Sequence, residues 1–151
     1  MSKIKKLKGK TKVSKNLSEK AGCYSDQHLA FSFKYLTTNN EHSEKCFGTG
    51  NEKTTNLECL FKKLKELSED TWRHWLQAPK TSGIETIPLG QLKFQPNSTA
   101  NLTKDCNIYV FRFDTNKGSN KGRILGFKDS PCGTFYIIGF DYNFSAYDHG
   151  S

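Results

Sequence analysis

The sequence lacks a long hydrophobic run, a closely spaced cysteine pair and the glycine-rich motifs that hold phosphate groups. No stretch approaches the length of a membrane span, and no apolar run follows the charged N-terminus as in a signal peptide. Its five cysteines are odd in number and widely spaced, without a C-x-x-C pair, which favours free thiols over disulfides or a zinc site. P-loop, dinucleotide and G-x-S-x-G motifs are also absent. We therefore predict a cytoplasmic protein with no metal, no cofactor and no membrane partner.

Acidic residues are almost missing from the start of the chain. Residues 1–20 hold eight Lys and one acid, Glu19, so they carry +7 of the net charge of +8. We predict a flexible basic arm over residues 1–22, followed by a single domain over residues 23–151. The arm either contacts nucleic-acid phosphates or serves as a solubilising tail. The candidate nucleic-acid-binding residues are Lys3, Lys5, Lys6, Lys8, Lys10 and Lys12.

The first half of the domain predicts one strand and two helices. Residues 29–36 alternate apolar and polar side chains as a strand does. Thr55 and Glu58 fit a capping box that opens a helix, and Ser68 fits the N-cap of a second, shorter one. The apolar positions of both helices are expected to be largely buried against a sheet. Those positions are Leu60, Phe61, Leu64, Trp72 and Trp75.

The last third of the chain predicts an antiparallel β-meander. Three runs rich in β-branched and aromatic residues, 108–114, 122–127 and 134–141, are separated by the turn-forming stretches 115–121 and 129–133. Residues 84–87 suggest a further short strand, which Pro88 confines to an edge or an end. The sequence thus predicts an α+β domain: an N-terminal strand, two helices and a C-terminal meander.

Polar residues gather where these runs end. A turn centred on Pro131 would place Arg123 opposite Gly139, on the face that also carries Asp141. Arg112 lies either opposite Arg123 or, after a slip of one residue, on the other face. The cluster is either a structural Arg123–Asp141 pair or an anion site in which Gly139 leaves room for a phosphate.

Two aromatic stretches also allow alternative interpretations. In the sequence Tyr147-Asp148-His149, the His either transfers a proton near neutral pH or is a solvated residue of the tail. Trp72 and Trp75 lie three residues apart on a helix, so they either stack on bases or belong to the core.

The order strand, two helices and arginine-bearing meander closing on a Tyr resembles that of the RelE/ParE-type toxins of bacterial toxin–antitoxin modules. The likeness is carried by Phe111–Phe113, Gly122–Phe127, Phe135–Asp141 and Asn143–Gly150. The chain differs from a RelE-like toxin in its greater length and in the acid Asp141, which has no place in the catalytic set of that family. Its motif rhythm is also similar to that of small phage and mobile-element proteins.

The resemblance implies a metal-independent endoribonuclease that cuts RNA, including ribosome-bound messenger RNA, and that is held by an antitoxin protein. Arg112, Arg123 and Tyr147 match the catalytic positions, and His149 is a possible addition. A ribose 2′-hydroxyl would attack the adjacent phosphate, Arg would stabilise the charge, and Tyr or His would move a proton. The alternative is a non-catalytic nucleic-acid- or protein-binding module of phage or mobile-element origin.

Overall fold

The computed structural model describes residues 26–79, 83–129 and 133–148, and these residues form an α+β domain as predicted. Within them lie strands β1 (Ala30–Ser32), β2 (Ile84–Pro88), β3 (Asn107–Thr115), β4 (Gly118–Asp129) and β5 (Thr134–Asp141), and helices α1 (Gly50–Ser68) and α2 (Trp72–Gln77). The predicted basic arm, with the six lysines named above, lies outside the described residues.

The strands form one sheet in the order β1-β5-β4-β3-β2. Strands β3, β4 and β5 are the predicted antiparallel meander, and β2 pairs antiparallel with β3 at one edge, where its terminal Pro88 is tolerated. Strand β1 pairs parallel with β5 at the other edge. The strand predicted over residues 29–36 is therefore correct in place but too long, because it covers three residues.

The helices begin at residues other than the predicted ones. Helix α1 starts after Thr49, so the supposed capping residue Thr55 lies inside it. Helix α2 starts after Thr71, whose hydroxyl accepts the backbone N–H of His74, while Ser68 ends α1 and donates to the carbonyl of Lys65. Both corrections have one cause, since several Ser and Thr residues near a helix start can serve as caps and packing selects among them.

Side chains on the two sides of the sheet form two separate cores, because alternate residues of a strand point to opposite faces. We call the side covered by α1 and α2 the helix face. Its buried residues include Leu60, Leu67, Trp72, Trp75, Phe111, Phe113, Ile124, Phe135 and Phe140. We call the other side, which irregular segments cover, the loop face. Its buried residues include Ile87, Leu92, Phe94, Ile108, Val110, Leu125, Ile138, Ala146 and Tyr147.

Five apolar residues of the two helices were predicted to be buried, and four of them are buried or half-buried. Leu60, Trp72 and Trp75 are buried, and Leu64 is half-buried against the helix-face core. Phe61 is the exception, because 75% of its surface is exposed. It follows Leu60 by one residue, a rotation of about 100° around the helix, so it points away from the core that Leu60 enters.

Candidate functional site

The polar residues predicted at the end of the sheet lie in one row across its loop face. Arg112 of β3 pairs in register with Arg123 of β4, and Arg123 pairs with Asp141 of β5. The first of the two registers considered for Arg112 is thus the observed one. Glu85 of β2 extends the row, with one carboxylate oxygen 3.5 Å from Nη2 of Arg112. Two arginines and two carboxylates together give this row no net charge.

The predicted partnership of Arg123 with Gly139 is wrong. Asp129 pairs with Thr134, one residue away from the register of a turn centred on Pro131, and the register shifts by one more between Leu125 and Gly126. Gly139 therefore pairs with Leu125, and Asp141 takes the place opposite Arg123. Gly139 does leave space, but the ring of Phe94 fills it: a Cβ added at Gly139 would come within 2.6 Å of that ring. The glycine therefore serves packing on the loop face and offers no room for a phosphate.

Asp141 organises the segment that closes the chain. Its carboxylate is fully buried and accepts three backbone N–H groups, those of Asn143, Ser145 and Ala146, at 3.1–3.3 Å. These bonds fold residues 142–147 back over the end of the sheet. Charge-assisted bonds of this kind are about twice as strong as neutral ones. Asp141 therefore supports the closing turn, a structural role that its place at the end of the last strand did not reveal.

Arg123 is enclosed rather than open. Only 6% of its surface is exposed, and its Nη1 donates to the carbonyls of Asn120 at 2.6 Å and Gly122 at 3.1 Å. The ring of Phe144 lies over the guanidinium, 5.0 Å from its central carbon. A phosphate that approaches Arg123 therefore has to displace the Phe144 ring or contact the edge of the guanidinium that this ring leaves uncovered.

Tyr147 of the closing segment interacts with the polar row through Arg123 and Glu85. It is buried, and burial together with the nearby Glu85 carboxylate raises the pKa of its phenol, while hydrogen bonding and charge from Arg123 act in the opposite direction. The net shift is upward, so the phenol is protonated at neutral pH. The structure thus brings together Arg112, Arg123 and Tyr147, three of the four predicted catalytic residues.

The fourth predicted catalytic residue, His149, lies outside the described residues. Its neighbour Asp148 is exposed and forms an ion pair with Lys93, whose Nζ is 2.6 Å away. Both side chains are largely exposed, so this pair lies in solvent.

Arg112 is the more accessible arginine. About a quarter of its side chain is exposed. On the opposite, helix face, the same end of β3 borders a cleft of about 280 Å³ beside α1, whose lining includes Arg112, Lys62, Lys63 and Asn120. Glu66 and Asp114 share the same cleft wall, so its charges, like those of the row, are mixed.

Phe144 is the residue at this site that the sequence analysis missed. It is 41% exposed and has a φ of +58°, which a bulky side chain rarely adopts. Its ring lies 5.0 Å from Arg123 and 5.9 Å from Nζ of Lys121. The available signal was its position, an aromatic residue between Asn143 and Ser145 in a polar turn directly after the last strand.

The two tryptophans belong to the core and not to a surface that could stack on bases. Trp72 and Trp75 are buried, and their indole N–H groups donate to the carbonyls of Gly133 and Leu67.

Among the described residues, no three His, Cys, Asp or Glu side chains are grouped to hold a metal ion. In the same part of the chain, no helix combines the length and apolar character needed to cross a membrane.

No family model, curated protein or solved structure matches the chain. The likeness to RelE/ParE-type toxins therefore stays a prediction from the motifs of the meander.

Proposed function

We propose that this protein binds single-stranded RNA at the end of its sheet, with Phe144 as the stacking residue and the basic arm as the source of phosphate affinity. The observation that carries the proposal is the exposed ring of Phe144 beside two cations, Lys121 and Arg123. An aromatic ring flanked by positive charge accepts a base on its open side and the adjoining phosphates at its edge.

The conformation of Phe144 supports this proposal. A left-handed backbone at a non-glycine residue costs about 1–3 kcal/mol and persists only where neighbouring bonds enforce it. Here Asp141 enforces it by holding the N–H groups of Asn143 and Ser145 on either side of Phe144. The turn presents a large apolar ring to solvent at an energetic cost, which a purely structural turn avoids by using Gly or Asn.

The burial of the polar row favours binding over cleavage. A catalytic arginine has to reach the reacting phosphate, whereas Arg123 is enclosed and already donates to two carbonyls. A proton-transferring phenol has to reach the leaving oxygen, whereas Tyr147 is 2% exposed. Both groups are well placed to support the turn that carries Phe144.

A toxin-like, metal-independent ribonuclease is the second candidate. The convergence of Arg112, Arg123 and Tyr147 at one end of the sheet favours it, because these are the residues that the resemblance assigns to RNA cleavage. In this alternative the Phe144 turn moves aside when RNA binds. An antitoxin partner belongs to this candidate and a cytoplasmic location to both.

The test is fluorescence anisotropy with a labelled single-stranded RNA of mixed sequence, at fixed salt, on the full chain. Phe144→Ala should weaken binding roughly 5- to 150-fold, since stacking on one base contributes about 1–3 kcal/mol. Leu76→Ala is the matched control: Leu76 is 46% exposed on α2, at a distance from the row, and its loss should leave affinity unchanged. Equal affinity of Phe144→Ala and wild type would overturn the proposed site.

Salt dependence separates the arm from the folded domain. Removing residues 1–20 should flatten the plot of log affinity against log salt, whose slope is about −0.7 per phosphate contacted on a single strand. A slope that survives the deletion would assign the phosphate contacts to the domain.

Electrophoresis of the same RNA after incubation with the protein in chelator-containing buffer distinguishes the two candidate functions, because cleavage products that end in a cyclic phosphate would establish the ribonuclease.

A further inference from the structure

An apolar groove lies on the helix face of the sheet, between helix α1 and the β1 edge. It has a volume of about 590 Å³, and Lys65 and Ser68 lie at its border. Its other lining residues are all apolar: Phe31, Phe33, Leu57, Leu60, Phe61 and Leu64. Such walls offer packing contacts rather than hydrogen bonds, so the surface suits another protein surface better than a polar ligand.

Two phenylalanines on the walls of this groove are open to solvent. Phe61 of α1 is 75% exposed, and Phe33, just after β1, is 49% exposed. Their rings together present about 250 Å² of apolar surface, and a contiguous apolar patch of this order marks an interaction site. Two facing copies of the patch would bury about 500 Å² of ring surface, about a third of a standard interface of about 1,600 Å². The flanks of α1 add to this area.

The exposed side of α1 is apolar on one flank of Phe61 and charged on the other. Leu57 and Leu64 lie four residues before and three after Phe61, on the flank that faces the groove. Glu58 and Lys65 lie three residues before and four after it, which places them on the opposite flank. Both are exposed. Phe61 therefore stands at the centre of a surface with opposite charges at its two ends.

This surface is complementary to its own two-fold image. A two-fold axis that crosses α1 at right angles beside Phe61 makes the two copies of the helix antiparallel and keeps each flank on its own side. Leu57 then faces Leu64 of the second copy, and Glu58 faces Lys65 of the second copy. A parallel arrangement would instead bring each charge against its own like. The charge pattern of α1 thus selects a second copy of the same chain in antiparallel orientation.

We infer that the groove is the interface of a symmetric homodimer, in which the two Phe61 rings meet at the two-fold axis and the two grooves form one apolar layer. Two ion pairs between Glu58 and Lys65 border the charged flank of this contact. The groove lies on the helix face and the polar row on the loop face, so the dimer goes beyond the proposed RNA binding and does not depend on it.

Sedimentation velocity of the full chain without RNA, over a range of concentrations, tests the dimer. The mass should rise from 17.2 kDa toward twice that value, with a dissociation constant in the micromolar range, because small interfaces bind weakly. Phe61→Asp should weaken the dimer about 100-fold or more, since it sets two carboxylates against each other in an apolar contact. Its circular dichroism should match that of the wild type, because Phe61 lies outside the core.

Charge reversal tests the antiparallel arrangement. Glu58→Lys and Lys65→Glu should each weaken the dimer roughly tenfold, because both opposite-charge contacts become like-charge contacts. An equimolar mixture of these two variants should dimerise as the wild type does, since every contact between the unlike copies is again attractive. A contact within one chain cannot produce this rescue.

Leu76→Asp is the matched control, because it alters an exposed hydrophobic residue outside the groove and should leave the dimer intact. A mass of 17.2 kDa at every concentration up to the millimolar range would overturn the inference and leave the groove to another occupant. A dimer that survives Phe61→Asp would overturn it as well, by placing the contact elsewhere. A mixture of the two charge variants that dimerises no better than either alone would contradict the antiparallel pairing.

Discussion

The two faces of the sheet solve the same burial problem with different chemistry. The helix face is covered by α1 and α2, whose backbone groups bond within the helices, so its core can be almost entirely apolar. The loop face is covered by irregular segments, whose N–H and C=O groups need other partners. Polar side chains meet that need there: Asp141 holds three N–H groups, and the hydroxyl of Thr37 donates to the carbonyl of Gln95.

This difference explains why the buried carboxylate of Asp141 lies on the loop face. Asp141 accepts from a turn, where regular secondary structure is missing, whereas Arg123 donates to the carbonyls of Asn120 and Gly122 within its own strand β4. A cluster of Arg, Asp and Tyr at a sheet end is thus no proof of catalysis, since buried polar side chains there also bond backbone groups of the strand and of the closing turn. A ligand can reach the exposed border of this polar row, which we call the rim. It consists of Phe144, Lys121 and the exposed part of Arg112.

The largest expected effect is on the helix face. Trp72→Ala should lower the free energy of unfolding by about 3–5 kcal/mol, because it removes a fully buried ring and leaves the carbonyl of Gly133 without its indole donor. Urea unfolding followed by circular dichroism measures it. The exposed neighbour Leu76→Ala should change stability by less than about 0.5 kcal/mol. A loss at Trp72 as small as that at Leu76 would show that the helices contribute little to the core.

On the loop face, Asp141→Asn should cost roughly 1–3 kcal/mol, because an amide N–H₂ then faces backbone N–H donors in a buried site. The same unfolding experiment measures the loss. Asp148→Asn is the control, since Asp148 is exposed and its ion pair with Lys93 lies in solvent, where such pairs contribute little. Equal stability of both variants would mean that the closing turn does not depend on the carboxylate.

The smallest effect concerns the turn at the rim. Phe144→Gly should be more stable than Phe144→Ala by about 1 kcal/mol, because glycine adopts a φ of +58° without steric cost. At Leu76, inside α2, the order should reverse, with Gly less stable than Ala by a similar amount. Thermal unfolding of the four variants gives both differences. The same order at both positions would show that Phe144 carries no backbone strain.

Local patterns in the sequence determined the fold class. The β-branched and aromatic residues of 108–114 and 134–141, bounded by turn-forming stretches, identified strands because such side chains pack well on a pleated sheet. The spacing of Leu60, Phe61 and Leu64 identified α1 because helical neighbours recur at three and four residues. Pro88 restricted β2 to an edge because it lacks an N–H to donate. The buried tryptophans and the pairing of Arg112 with Arg123 were among the predicted alternatives.

Tertiary structure alone decided what the polar residues do. The pairing of Asp129 with Thr134 and the shift of register between Leu125 and Gly126 each moved the register by one residue. Together they placed Asp141 opposite Arg123, and Phe94 fills the space at Gly139. No turn length in the sequence reveals such a bulge, since it depends on how the twisted strands fit the layers above them. The exposure of Phe61 and Phe144 was equally hidden, because burial depends on the elements that cover a residue, and a local pattern holds no information about distant segments.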